Sequence, residues 1–226
     1  MARGRGRRSR RLLNHPPTDF GRRNHATDIN PWITSPATDN AEEAAQDAHL
    51  PPAAVISEPL RGVVEPDAAD RLGHRTVAGS AALWVIGAHG GSGESRIADL
   101  VEGARVTDHC WPVLQDGSKP RVLLVCRADM RGLTAAQSAL TQWVSGAAPE
   151  LDLLGLAVLA DAPGKTPKPL RDFAAIVGGG APRSWTLPWV EAWRHGESTS
   201  PPPAREYQRF ITDLASLSTD TPSTTN

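Results

Sequence analysis

The stretch "AALWVIGAHGGSGESRIADLVEG" (81–103) constrains the fold more than any other part of the 226-residue chain. An apolar run, "AALWVI" (81–86), stops at a glycine-rich turn, and a helix-forming stretch, "ESRIADLVEG" (94–103), begins directly after it. A fully apolar strand feeding a helix reads as one unit of a parallel sheet that must be covered on both faces. The turn between them has the makings of an anion site, because its backbone N–H groups point inward and the helix dipole favours negative charge there.

The same alternation continues downstream. "RVLLVC" (121–126), "LLGLAVLA" (153–160) and "RSWTL" (183–187) read as strands. "LTAAQSALTQWVSG" (133–146), "PKPLRDFAAIVGGG" (167–180) and the short "WVEAWRHG" (189–196) read as the helices between and after them. Proline near the start and glycine at the exit mark the 167–180 helix. A last helix over 204–217 places Tyr207, Phe210, Ile211, Leu214 and Leu217 on one stripe, which predicts docking on the domain. Short apolar strands separated by helices predict a small three-layer α/β sandwich with a mainly parallel sheet of four to five strands, of the P-loop NTPase kind.

The ends carry no such pattern. Residues 1–23 hold Arg3, Arg5, Arg7, Arg8, Arg10 and Arg11 against a single acid, Asp19, and residues 24–75 turn acidic and proline-punctuated. Such stretches bury too little apolar surface to offset ordering entropy, so 1–75 and 218–226 are expected to be disordered tails around a domain spanning 76–217. A short helix over 38–48 is the one element expected inside the first tail. Formal net charge is −1, so bulk charge selects no partner, but the arginine arm would hold nucleic acid without sequence specificity and with strong salt dependence. No apolar run reaches ~18 residues, the length of a membrane span. The arginine-rich start lacks an apolar stretch behind it, which argues against an export signal, and Cys110 and Cys126 form no metal pattern. A cytoplasmic protein is expected.

Within the loop, Gly90, Gly91 and Gly93 supply backbone freedom, and Ser92 lies between them. Ser95 stands where a phosphate-binding loop places its Mg²⁺ ligand, but Glu94 stands where it places lysine. Arg96 lies about 200° round the helix from Glu94 and is expected to point elsewhere. Arg127, at the end of the 121–126 strand, is the better substitute cation, since strand C-terminal ends face the loop in this architecture.

"AHGGSGES" resembles the deviant phosphate loop of the MinD/ParA ATPases, in which a lysine precedes the glycine pair and a second precedes the serine. Here His89 and Glu94 occupy those positions. "RVLLVCRADMRGLTAAQSAL", "LLGLAVLADAP" and "TLPWVEAWRHGE" are similar to later elements of that family, and the resemblance covers about 80–197. "GAHGG.G.S", "ADAPG" and "PWVEAWR" also resemble a subgroup of MinD-like proteins from GC-rich Gram-positive bacteria and their mobile elements. The resemblance implies ATP or GTP as ligand, with or without Mg²⁺, and a base contact near Asp161. The family's strand ending in a Mg²⁺-binding aspartate has no counterpart, because 104–120 looks too short for it and neither Asp108 nor Asp116 follows an apolar strand.

Three readings of 90–95 stay open: a tight turn capped by Glu94, nucleotide binding without hydrolysis, and a working NTPase. Two functions follow. One is a catalytically degenerate binding or assembly module in maintenance or transfer of plasmid or mobile-element DNA, with Trp185, Trp189 and Trp193 as the surface for a protein partner. The other is a divergent ATPase or GTPase whose cation comes from elsewhere. A loop plugged by Glu94 or by 104–120 favours the first, and an open loop with Arg127 beside it favours the second.

Overall fold

The computed structural model describes residues 57–197, 202 and 204–219; the arginine arm and the 38–48 segment lie outside them. In chain order the elements are β1 (Gly73–Val77), β2 (Leu83–Gly87), α1 (Glu94–Ala98), β3 (Ala104–Val106), β4 (Cys110–Leu114), β5 (Arg121–Arg127) and α2 (Met130–Val144). They continue with β6 (Asp152–Leu159), α3 (Lys168–Gly178), β7 (Ser184–Leu187), α4 (Glu191–Arg194) and α5 (Arg205–Thr219). Five strands form one sheet in the order β3-β2-β5-β6-β7, every pair parallel.

The continuous apolar runs of β2, β5 and β6 follow from burial on both faces. Trp84, Ile86, Val122, Leu124 and Cys126 face α2 and α3, where Leu133, Ala136, Leu140, Trp143 and Val177 meet them. Leu83, Val85, Leu123, Val125 and Leu159 face Ile97 of α1 and the Tyr207, Phe210 and Leu214 stripe of α5. The fold is therefore the three-layer α/β sandwich expected. The register between β5 and β6 slips at Val122/Leu123, where Leu154 is the extra residue, so Leu153 and Leu156 turn to the same face. Beside it, a Cβ at Gly155 would lie 2.5 Å from the Arg183 carbonyl, so that position admits no side chain.

Three expectations need correction. The boundary at 75/76 falls inside β1, and residues ahead of it are held to the domain: Leu60 N–H donates to the Val144 carbonyl at 2.7 Å. The 104–120 segment is no bare connection, since it forms β3 beside β2 and then β4, which pairs with β1 as a second, two-stranded parallel sheet. Finally, the helix over 94–103 is cut to five residues. Its exit tightens into i→i+3 bonds at Leu100 and Val101, and Gly103 at φ 74° turns the chain into β3.

Candidate functional site

The loop between β2 and α1 is a tight, glycine-rich strand–helix turn. Gly91 and Gly93 lie at φ 81° and 97°, a region closed to most side chains. Ser92 N–H closes the turn on the His89 carbonyl at 3.2 Å. Among the described residues, the N–H groups of Gly90, Gly91 and Gly93 have no protein acceptor.

The side chains work against an anion. Ser92 is fully buried and its hydroxyl donates to Glu94 Oε2 at 2.5 Å. A Cβ placed on Gly87 would lie 2.5 Å from Ser92 Oγ, 2.8 Å from His109 Nδ1 and 3.0 Å from Glu94 Oε2, so all three groups converge on the end of β2. Glu94 therefore turns into the loop. A phosphate charge ~4 Å from this carboxylate meets a repulsion of about 4 kcal/mol at an effective dielectric of 20. A helix terminus offers an anion only about 0.3–1 kcal/mol, and α1 is a short one.

His89 and Arg127 are also engaged. Arg127 N–H donates to His89 Nε2 at 3.3 Å, and His89 Nδ1 lies 2.9 Å from the Gly90 carbonyl. A backbone N–H can only donate and a carbonyl only accept, so Nε2 accepts and Nδ1 donates. The Arg127 guanidinium donates through Nε to the Gly91 carbonyl at 3.3 Å and through Nη1 to the Ala160 carbonyl at 3.0 Å. It braces the outside of the loop from β5.

The remaining expected residues lie elsewhere. Ser95 is exposed and lines a shallow depression with Asp99 and Arg105, toward β3. Asp161 is exposed in the turn after β6. Asp108 sits just past β3, a mostly exposed strand, at φ 54°, and its carbonyl accepts Gly87 N–H at 2.9 Å, whereas Asp116, contrary to expectation, follows the largely apolar strand β4. The Asp108 carboxylate takes Arg75 at 2.6 Å. Among the described residues no cluster of three His, Cys, Asp or Glu side chains is placed to hold a metal ion.

A second concavity opens at the C-terminal ends of β5, β6 and β7. It has a volume of about 240 Å³, and Arg96, Arg127, Arg194, Trp189, Trp193 and Tyr207 line it. Trp193 packs edge-on against Tyr207 with ring centres 5.4 Å apart, and the Tyr207 hydroxyl donates to the Pro188 carbonyl at 3.0 Å. Burial pushes the Tyr207 phenol well above its ordinary value, with Arg127 opposing. Trp185 packs edge-on against Phe210 and donates to Asp213, while Trp189 donates to Glu191 at 2.6 Å. The three indoles are thus all half-buried and hydrogen-bonded or stacked within the domain.

Residues 81–209 match a family of unknown function (DUF6668). The chain belongs to this family. Neither the curated proteins nor the solved structures give a match. The DUF6668 segment runs from the approach to β2 into α5, so it contains the loop, Arg127 and the whole strand-end cleft. β1 lies outside it.

Sequence reasoning passed over two of these residues and set a third aside. His109 belongs to the 104–120 segment, which looked too short for a further strand. Arg194 follows Trp193 on a helix of four residues, too short for a periodic signal. Arg96 was assigned away from the loop, and it does face elsewhere, into the strand-end cleft beside Arg127.

Proposed function

We propose that this chain is a cytoplasmic, catalytically degenerate relative of the MinD/ParA ATPases that works as a binding and assembly module. The observation that carries the reading is the Glu94 carboxylate, hydrogen-bonded to buried Ser92 and turned into the loop where an entering phosphate needs a cation. The His89 ring that replaces the other lysine has both nitrogens engaged by the backbone. The loop thus serves as a rigid strand–helix corner. Maintenance or transfer of plasmid or mobile-element DNA is the setting, on the resemblance and on the arginine arm at Arg3–Arg11 of the sequence.

The test is a calorimetric titration of ATP and GTP, with and without Mg²⁺, into the full chain and its Glu94→Lys variant. No binding by the wild type is expected, with weak binding restored by the lysine. Micromolar binding by the wild type, accompanied by phosphate release, overturns the reading. The DNA part is tested by deleting residues 1–23: nonspecific affinity falls, and the slope of log K against log salt drops by about 5 for roughly six phosphate contacts.

One observation favours a divergent ATPase or GTPase: the Arg127 guanidinium lies against Gly91 and within 3.7 Å of a Cβ position on Gly93. That reading requires Arg127 to leave two carbonyl acceptors when nucleotide arrives. Arg127→Lys would then keep nucleotide affinity and Arg127→Gln would lose it.

A further inference from the structure

We propose that the cleft at the C-terminal ends of β5, β6 and β7 binds a small phosphate monoester with a flat ring. Arg96 from α1, Arg127 from β5 and Arg194 from α4 line one cavity, and no carboxylate lines it. Among the described residues none of the three forms an ion pair. Glu191, the acid on α4, is occupied by the Trp189 indole at 2.6 Å and His195 at 3.5 Å. Three like charges held around one concavity repel each other until an anion neutralises them.

A phosphate monoester suits the charge. It carries close to two negative charges at neutral pH and offers several acceptor oxygens, which match the forked donors of guanidinium groups. With Nε and Nη1 engaged, Arg127 keeps Nη2 without a partner among the described residues. The ring suits the walls. Trp189 lies just ahead of α4 and Trp193 on it, one fixed by Glu191 and the other by its edge-on contact with Tyr207, and indole faces stack flat rings at little entropic cost. The size limits the ligand: a volume of about 240 Å³ lies below the ~300–1,000 Å³ of pockets for drug-sized molecules. This site uses Arg96 and Arg194, which the glycine loop does not, and it stands whether or not that loop binds nucleotide.

The experiment follows tryptophan fluorescence and calorimetry of the full chain at low salt, with phenyl phosphate as probe and inorganic phosphate and benzoate as comparisons. Phenyl phosphate is expected to bind saturably, to raise the melting temperature, and to bind about tenfold tighter than either comparison. The Arg96→Gln and Arg194→Gln variants each weaken it by about tenfold, and Trp189→Leu weakens it too while the circular dichroism spectrum stays unchanged. Absence of saturable binding, or binding that the Arg96→Gln/Arg194→Gln pair leaves intact, overturns the proposal. Equal affinity for benzoate overturns the phosphate assignment. Loss of DNA affinity in the double arginine variant, with no phenyl phosphate binding by the wild type, makes the cleft a nucleic-acid surface and overturns it as well.

Discussion

Gln142 on α2 grips the backbone of Leu72 with both ends of its side-chain amide. Leu72 N–H donates to Oε1 at 2.9 Å, and Nε2 donates to the Leu72 carbonyl at 3.1 Å. The same Oε1 accepts the indole N–H of Trp111 at 3.0 Å. Gln142 is buried, so one polar side chain ties the chain ahead of β1, the strand β4 and the helix α2 into one layer.

Replacing Gln142 with leucine conserves bulk but leaves Leu72 N–H, its carbonyl and Trp111 Nε1 without partners. Groups left unpaired in this way cost about 1–3 kcal/mol each when buried, and Leu72 is half-buried, so a total loss of about 2–4 kcal/mol is expected in urea unfolding. Hydrogen exchange at 72–77 should quicken while β5 stays protected. An unchanged exchange pattern would mean that β1 is held by its pairing with β4 alone.

The two fully buried tryptophans of this layer make a matched pair. Trp111 Nε1 has an acceptor in Gln142, whereas Trp84 Nε1 has none. Trp84 instead lies under the Arg105 guanidinium, 4.9 Å from its ring centre. Both lose similar ring volume on change to phenylalanine, but only Trp111→Phe gives up a hydrogen bond, while Gln142 Oε1 keeps Leu72 N–H. It should destabilise by about 0.5–1.5 kcal/mol more than Trp84→Phe in paired denaturation curves. Equal losses would show that the Gln142 bond contributes nothing net.

Gly132 sits in the first turn of α2, its N–H capped by Asp129 Oδ1 at 2.6 Å. Glycine to alanine inside a helix ordinarily stabilises by about 1 kcal/mol. Here the new Cβ would lie 2.4 Å from the Arg127 carbonyl and 2.8 Å from His89 Nε2. A backbone carbonyl cannot swing aside, so Gly132→Ala is expected to destabilise by ~2 kcal/mol or more, within the overpacking range. The His89 ring resonances in an NMR spectrum should shift as its bond to Arg127 N–H is displaced. A gain in melting temperature would contradict the close packing of α2 on β5.

The order of strands and helices from β5 onward was legible because each apolar run is long enough to show its period: β5, α2, β6, α3 and α5 lie within a few residues of expectation. β1, β3 and β4 were not. "GHRTV" is almost wholly exposed and shows no apolar alternation, and "ARV" is only three residues. "CWPVL" carries Pro112, which argues against a central strand and is tolerated in a two-stranded pair. In the loop the residue types were legible and the direction of Glu94 was not, because it depends on Ser92 and on His109 from that same unread segment. The meeting of Arg96 with Arg194 depends on where α1 and α4 end in space, which no local pattern encodes.

Cys126 makes stability depend on alkaline pH. The thiol is completely enclosed between β5 and α2, and burial pushes it from its ordinary 9.0 up to about 12, with the Asp129 carboxylate adding to the shift. The folded chain thus keeps a proton that the unfolded chain releases. Below pH 9 both states hold it and stability is unaffected; above pH 9 the unfolded state gains, and stability falls until the folded thiol itself ionises near 12. Each group of this kind contributes at most about 1.4 kcal/mol per pH unit. Tyr207, also raised by burial, adds a loss of the same sign once pH passes its ordinary 10.0. Urea unfolding under reducing conditions should therefore show the midpoint falling from about pH 9 and falling more steeply above about pH 10. Cys126→Ala should remove the first part of the decline and leave the second. A midpoint that stays level through pH 10 in the wild type would mean that water reaches the thiol and that the α2 face of β5 opens.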